Sequence, residues 1–109
     1  MSRLKFLESA EKDLKEIADY IEEISGSREV AKSFIKSIIA KCEGLAKLTA
    51  QIGRERRELL PEIRSVPFKN YVVFFRYLPS NSDRHIFEVV NILEGHRDFI
   101  AFFTGDDVQ

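Results

Sequence analysis

The hydrophobic period of this sequence changes once, near Gly53, and this change limits the folds that the chain can adopt. Before Gly53, apolar residues recur at intervals of three and four, which places them on one face of a helix. After Gly53, apolar residues alternate with a period of two, and Pro67, Asn70 and Pro79 punctuate the pattern as turn residues do. Two helices followed by a meander of strands predict an α+β fold.

The first half of the chain predicts a short strand and a helical hairpin. Residues 3–7 alternate weakly, as an edge strand does. Ser9 stands where a helix N-cap is expected, and apolar residues follow it at helical spacing to Ile24. Gly26 ends this helix and Ser27 caps the next, which carries a wider apolar stripe and runs to Leu48. Because the linker is so short, the two helices are predicted to pack antiparallel.

The second half predicts three strands and a terminal helix. The strands are expected over residues 62–68, 71–78 and 85–93, with turns at residues 69–70 and 79–84. A short helix is expected over residues 97–103. The predicted architecture is an N-terminal strand, an antiparallel helical hairpin packed on a mainly antiparallel β-sheet, and a short C-terminal helix, all in a single domain covering residues 1–109.

Charge and composition narrow the classes of function. A net charge of -1 argues against general adhesion to nucleic acid, so a nucleic-acid role would need a local patch of cations. No apolar run approaches the roughly 20 residues that cross a bilayer, and no leader is visible, so a cytoplasmic protein without membrane contact is expected. Cys42 is the single cysteine, and its helical spacing with apolar neighbours predicts a core position and neither a disulfide nor a cysteine-based metal site.

Both faces of the last two strands are apolar. The helical hairpin can bury only one of them, so another segment or another chain is predicted to bury the second. A half-wet antiparallel sheet alternates apolar and polar residues, and these strands do not. One set comprises Tyr71, Val73, Phe75 and Tyr77 with Ile86, Val90 and Ile92, and the other comprises Val72, Phe74 and Leu78 with Phe87, Val89 and Leu93. The preferred interpretation is that a protein partner covers the second set. The alternative is that Phe99, Phe102 and Phe103 fold back over it.

Seven segments, in this order, resemble the ParE toxins over nearly the whole chain. They are Ala10-x-x-Asp13-Leu14-x-x-Ile17-x-x-Tyr20-Ile21, Ala31-x-x-Phe34-Ile35, Leu48 with Gly53-Arg54, Glu58-Leu59, Ile63-Arg64-Ser65, Asn70-Tyr71-Val72-Val73-Phe74-Phe75-Arg76-Tyr77, and Ile92-Leu93-x-Gly95-x-Arg97-Asp98. The resemblance implies a ParE/RelE-like fold and the toxin of a type II toxin–antitoxin pair. Such a toxin inhibits DNA gyrase without being an enzyme, is neutralised by a cognate antitoxin, and meets DNA only indirectly through that antitoxin. It implies no cofactor and no metal.

The predicted partner-binding residues combine the second apolar set with nearby cations and the C-terminal segment. They are Arg64, Val72, Phe74, Arg76, Phe87, Val89, Arg97 and Phe99.

Two other functions remain open at this point. The related RelE branch cleaves messenger RNA on the ribosome, and in that case Arg64, Arg76, His96 and Arg97 would be the catalytic residues, with the two strand arginines facing one another. The net charge of -1 and the acidic residues at 106 and 107 argue against RNA cleavage. A relative that binds its antitoxin without killing is the other alternative, since the family proline is missing from residues 49–52 and Glu94 replaces a frequent histidine.

Overall fold

Five strands form one sheet on which two long helices pack. The computed structural model describes residues 2–48, 50–80 and 85–105. The first strand of the chain is parallel to the last, the other neighbouring strands are antiparallel, and numbered along the chain the strands lie in the order 1-5-4-3-2. The predicted α+β architecture is confirmed. The elements are β1 (Arg3–Phe6), α1 (Glu8–Ser25), α2 (Arg28–Lys47), β2 (Arg54–Glu55), β3 (Arg64–Phe68), β4 (Tyr71–Leu78), β5 (Ile86–Glu94) and α3 (Phe99–Thr104).

The turn between α1 and α2 forms as predicted, whereas the start of α1 does not. Gly26 adopts a left-handed conformation with φ of 70°, and Ser27 Oγ accepts a hydrogen bond from the Val30 N–H at 3.2 Å. Ser9 is not the N-cap of α1, because the helix already begins at Glu8. The Ser9 hydroxyl instead donates to the Val90 carbonyl at 2.6 Å and joins the helix to the sheet.

The core between the helices and the sheet is built mainly from α2 and the two central strands. We call the side of the sheet that faces the helices the first face, and the opposite side the second face. Ile38 and Cys42 of α2 are fully buried against Val73 and Phe75 of β4. The predicted core position of Cys42 is therefore confirmed, and burial raises the pKa of its thiol to about 12.

A β-bulge interrupts the pairing of the two central strands. Phe74 pairs with Asn91, whereas its neighbour Phe75 pairs with Val89, so Val90 has no partner of its own. An extra residue in one strand shifts the alternation of side chains beyond it by one position. On a given face of the sheet, β5 therefore places odd-numbered residues before the bulge and even-numbered residues after it, or the reverse.

The bulge corrects the predicted division of β5 into two faces. Phe87, Val89 and Ile92 all pack in the core of the first face, which a regular strand would forbid because their spacing mixes odd and even positions. Val90 packs on the second face. The prediction that Phe87 and Val89 lie on an open second face is therefore wrong, and both side chains are fully buried beneath the helices.

Asp13 of α1 holds the strand next to the bulge. Its Oδ2 accepts the Ile92 backbone N–H at 2.9 Å and the Asn91 side-chain amide at 2.8 Å. Burial raises the pKa of Asp13 above its ordinary value of 3.8, and the hydrogen bonds from Ile92 and Asn91 oppose that rise. The Asp13 carboxylate thus accepts hydrogen bonds from Ile92 and Asn91, although its burial makes the charged form less favourable.

The C-terminal half differs from the prediction at its element ends. β3 begins at Arg64 rather than at residue 62, and the two-residue strand β2 was not predicted. α3 begins at Phe99 rather than at residue 97, because Asp98 caps it by accepting the Ala101 N–H at 3.0 Å. Lys69, with φ of 56°, forms the predicted turn before β4. Residues 81–84 of the predicted turn over residues 79–84 lie outside the described residues.

Replacing Ile38 by alanine is expected to lower the free energy of unfolding by about 2 to 5 kcal/mol, because the side chain is fully buried and leaves a cavity. Urea unfolding followed by circular dichroism measures the loss. Ile24→Ala is the matched control, since Ile24 is 61% exposed and should change stability by less than about 0.5 kcal/mol. Equal losses in the two variants would contradict the assignment of α2 to the core.

Asp13→Ala is expected to cost about 1 to 3 kcal/mol, because the buried Ile92 N–H loses its acceptor. Asp13→Asn keeps an acceptor oxygen and removes the buried charge, so it should hardly change the free energy of unfolding at pH 7.

The folded state binds the Asp13 proton more tightly than the unfolded state does. The unmodified chain should therefore lose stability, relative to Asp13→Asn, as the pH rises from about 4 through the raised pKa. Urea titrations at several pH values test this, and an asparagine variant as unstable as the alanine variant would refute it.

Candidate partner-binding surfaces

The terminal segment covers the apolar part of the second face. Phe74 is fully buried, and the rings of Phe99 and Phe103 meet its ring edge-on at centroid distances of 4.9 and 5.0 Å. Leu59, Ile63 and Leu93 are the other buried residues of this second core. The structure thus agrees with the alternative given from the sequence, in which Phe99, Phe102 and Phe103 fold back over this face. Phe74 is a core residue in this structure, so it does not offer a partner the predicted contact.

Arg56 seals the edge of this second core, and sequence reasoning did not single it out. Its guanidinium lies over the rings of Phe74 and Phe99, at 5.9 and 5.5 Å from their centroids. It donates to Glu58 Oε2 at 2.8 Å and to Ser65 Oγ at 3.2 Å, and the bond to Glu58 lowers the pKa of that carboxyl. In the sequence, Arg56 stands among alternating charges and resembles a solvated residue.

Arg64 lies on the first face and supports the loop before β2. It is paired with Phe75, and its guanidinium donates to the carbonyl oxygens of Ile52 at 3.4 Å and Gly53 at 3.1 Å. Gly53 is required here, because a Cβ at this position would lie 2.6 Å from the Phe75 ring. The role of Arg64 in the isolated chain is to bind backbone carbonyls.

Arg76 lies on the second face and pairs with a buried carboxylate. Its Nε is 2.6 Å from Glu88 Oε1, and Lys5 Nζ is 3.8 Å from Glu88 Oε2. The Glu88 side chain is only 4% exposed, so Arg76 is the main partner of a buried charge. The predicted juxtaposition of Arg64 and Arg76 is wrong, since adjacent register positions of β4 put them on opposite faces.

His96 and Arg97 lie at the other end of the central strands. Glu94, just before them, pairs with Tyr71, whereas Arg76 pairs with Glu88. These two pairs are five residues apart along β4, which corresponds to roughly 17 Å. The four residues proposed for RNA cleavage are therefore not brought together.

Arg97 lies beside the remaining predicted contacts in the C-terminal segment. Its guanidinium is 4.6 Å from the centroid of the Phe102 ring, and it lines a cleft of about 230 Å³ with Asp13, Tyr20 and Tyr71. Of the predicted contact residues, Val72 and Phe99 are half-buried in the second core, whereas Arg97 is exposed. Ile100, on the outer side of α3, is 55% exposed. The segment thus offers both a cation and an apolar side chain to solvent.

An apolar groove of about 410 Å³ runs along the helical hairpin. We call it the outer groove. Its floor is Ala18, Ala31 and Ile35, and two alanines permit the close approach of another backbone. Its rim consists of one carboxylate, Glu22, and three cations, Arg28, Lys32 and Lys36, which are spaced four residues apart along α2. The predicted site residues do not include this groove.

Within residues 2–48, 50–80 and 85–105, no three histidine, cysteine or carboxylate side chains are grouped to hold a metal ion. None of the three described helices combines the length and the hydropathy that a membrane span requires.

Comparison with known proteins agrees with this architecture. No curated protein sequence matches the chain. A solved structure titled as the chromosomal ParDE TA system from P. aeruginosa superposes with a TM-score of 0.70 at 22% identity, covering 86% of this chain and 96% of that one. At this identity the superposition establishes the fold. The family model described as the ParE toxin of the type II toxin-antitoxin system parDE matches residues 4–99. The chain therefore belongs to the ParE toxin family of type II toxin–antitoxin systems.

Proposed function

We propose that this chain is a cytoplasmic toxin that arrests growth by binding and inhibiting DNA gyrase, and that a cognate antitoxin neutralises it. The observation that carries the proposal is the family match over residues 4–99, which includes both long helices and, apart from Arg3 of β1, every described strand. The gyrase target follows from the resemblance to ParE toxins. The antitoxin follows from membership of a family whose toxins act in pairs.

Inhibition by binding, without catalysis, is the mode of action that we propose. Two features of the geometry support it. Arg64 and Arg76 lie on opposite faces of the sheet and are engaged by backbone carbonyls and by Glu88. His96 and Arg97 follow Glu94, whose pair with Tyr71 lies roughly 17 Å along β4 from the pair of Arg76 with Glu88.

The exposed C-terminal segment is our proposed contact with the target. It presents Arg97, which lies just before α3, and the apolar side chain of Ile100 on α3 itself, the short helix that caps the second core. Arginine is enriched among the residues that contribute most to binding at protein interfaces, and an exposed apolar side chain beside it can be buried by a partner.

The outer groove is our proposed contact with the antitoxin. Its apolar floor fits one face of an amphipathic helix, and the row of Arg28, Lys32 and Lys36 fits acidic side chains along the edge of that helix. A disordered antitoxin segment would fold as it binds there, which is a common way for such segments to wrap a folded partner.

Induction of the chain alone in a bacterial host tests the target. If gyrase is the target, incorporation of labelled thymidine should fall within minutes while incorporation of labelled methionine persists. The purified chain should also inhibit supercoiling by purified gyrase. An early loss of protein synthesis with cleaved messages would instead establish the RelE-type activity. No loss of either would identify a relative that binds antitoxin without killing.

Ile100→Asp should weaken gyrase inhibition at least tenfold, because it places a charge at the proposed apolar contact. Ile24→Asp is the control, since it puts the same charge at an equally exposed isoleucine on the hairpin. Both variants should unfold at nearly the same temperature as the parent. Equal inhibition by the two variants would remove α3 from the target interface.

Reversing the charges of Lys32 and Lys36 together should weaken binding of the antitoxin encoded with this toxin by at least tenfold, because the rim would repel acidic side chains. Titration calorimetry with that antitoxin measures the change. The control is reversal of Lys12 and Lys15, two exposed lysines of α1 that do not line the groove. A loss of the same size in the control would show that net charge, rather than the groove, governs binding.

A further inference from the structure

A row of cations crosses the second face from one edge of the sheet to the other. Register places Lys5 beside Glu88, and Glu88 beside Arg76. Arg56 continues the row at the far edge, because its backbone N–H donates to the Ile63 carbonyl at 2.9 Å and its guanidinium lies over Phe74 of the second face.

Two further cations flank this row on the same face. Arg3 pairs with Ile86 two residues before Glu88, and Arg54 pairs with Ser65. Both side chains are exposed. We call Arg3, Lys5, Arg54, Arg56 and Arg76 the basic row.

The basic row is positive although the chain is not. Its five cations are accompanied by two ion-paired carboxylates, Glu58 and Glu88, so the row itself has an excess of three positive charges. The whole chain carries a net charge of -1. This distribution is the local patch that a nucleic-acid role would need in a chain with no overall positive charge.

The spacing and surroundings of the basic row favour a phosphate backbone of duplex DNA. Lys5 and Arg76 lie two strands apart, as do Arg76 and Arg56, so each interval is about 10 Å and the row is about 19 Å long. Cations at such intervals can reach phosphates on the two sides of a groove that is about 12 Å wide. Tyr20, on α1, is the one aromatic residue among the large exposed apolar side chains of the described part. Among the described residues of the second face, the rings of Phe99, Phe102 and Phe103 are partly buried in the second core, and none is exposed as a platform on which the bases of a single strand could stack.

We propose that this chain binds duplex DNA directly, through contacts of the basic row with the phosphate backbone. The binding is independent of sequence, because phosphate contacts fix position and do not read bases. It does not depend on gyrase being the target, and it differs from the indirect contact through an antitoxin that the family resemblance implies. For a toxin that acts on a DNA-bound enzyme, such contacts would position it on the substrate of that enzyme.

Fluorescence anisotropy of the purified full chain with a short labelled DNA duplex tests the proposal. Three unneutralised charges predict a slope of about -3 for log K against log salt between about 50 and 200 mM. The double substitution Arg3→Ala with Lys5→Ala should reduce the magnitude of that slope by about 2 and weaken binding on the order of tenfold. Both side chains are exposed, so the melting temperature should hardly change.

Lys12→Ala with Lys15→Ala is the control, because it removes the same charge from α1 on the other side of the sheet. Loss of DNA affinity in the first variant and its retention in the control would support the proposal. Four results would overturn it: no binding to the duplex, equal losses in both variants, tighter binding to a single-stranded RNA of the same length, or equal binding to polyglutamate. Since gyrase is absent from this assay, its outcome is separate from that of the supercoiling assay.

Discussion

The bulge at Val90 is the constraint on which the arrangement of this domain depends. By shifting the parity of β5, it lets Phe87, Val89 and Ile92 share one face, so the helical hairpin covers an unbroken apolar surface. Just beyond the bulge, the Ile92 N–H donates to Asp13 of α1. A single irregularity thus fixes where the first helix docks and which side chains remain for the second face.

The two faces of the sheet are covered by very different means. Two long helices bury the first face, whereas the six-residue α3, which has no fully buried residue of its own, covers only the apolar part of the second. Lys5 and Arg76 of the basic row lie beside this covered part, around the buried carboxylate of Glu88, whereas Arg56 lies at the edge of the second core. The second face therefore combines an apolar core under α3 with a group of cations beside it, and these cations are the proposed contacts with other molecules.

The spacing of apolar residues along the sequence predicted the helices and most of the strands of this fold. The faces on which individual side chains lie depend instead on how distant strands pair. The helices, the turn at Gly26 and the core position of Cys42 follow from spacing alone. The faces of Phe87 and Val89 do not, because apolar residues occur at both odd and even positions of β5 and the sequence pattern therefore does not reveal the bulge. The candidate site was less predictable still. Arg56 looks solvated in the sequence, and its position on the second face depends on pairing with a residue that precedes β3.

The burial of Cys42 allows opening of the domain core to be followed by the reactivity of its thiol. It is the only thiol in the chain, it is fully buried between α2 and the sheet, and burial holds its pKa near 12. A thiol reagent needs both access and a thiolate, and the folded core withholds both. Alkylation of this cysteine therefore counts molecules in which the hairpin has separated from the sheet. The natural sequence thus contains a label for following how a bound partner stabilises the core.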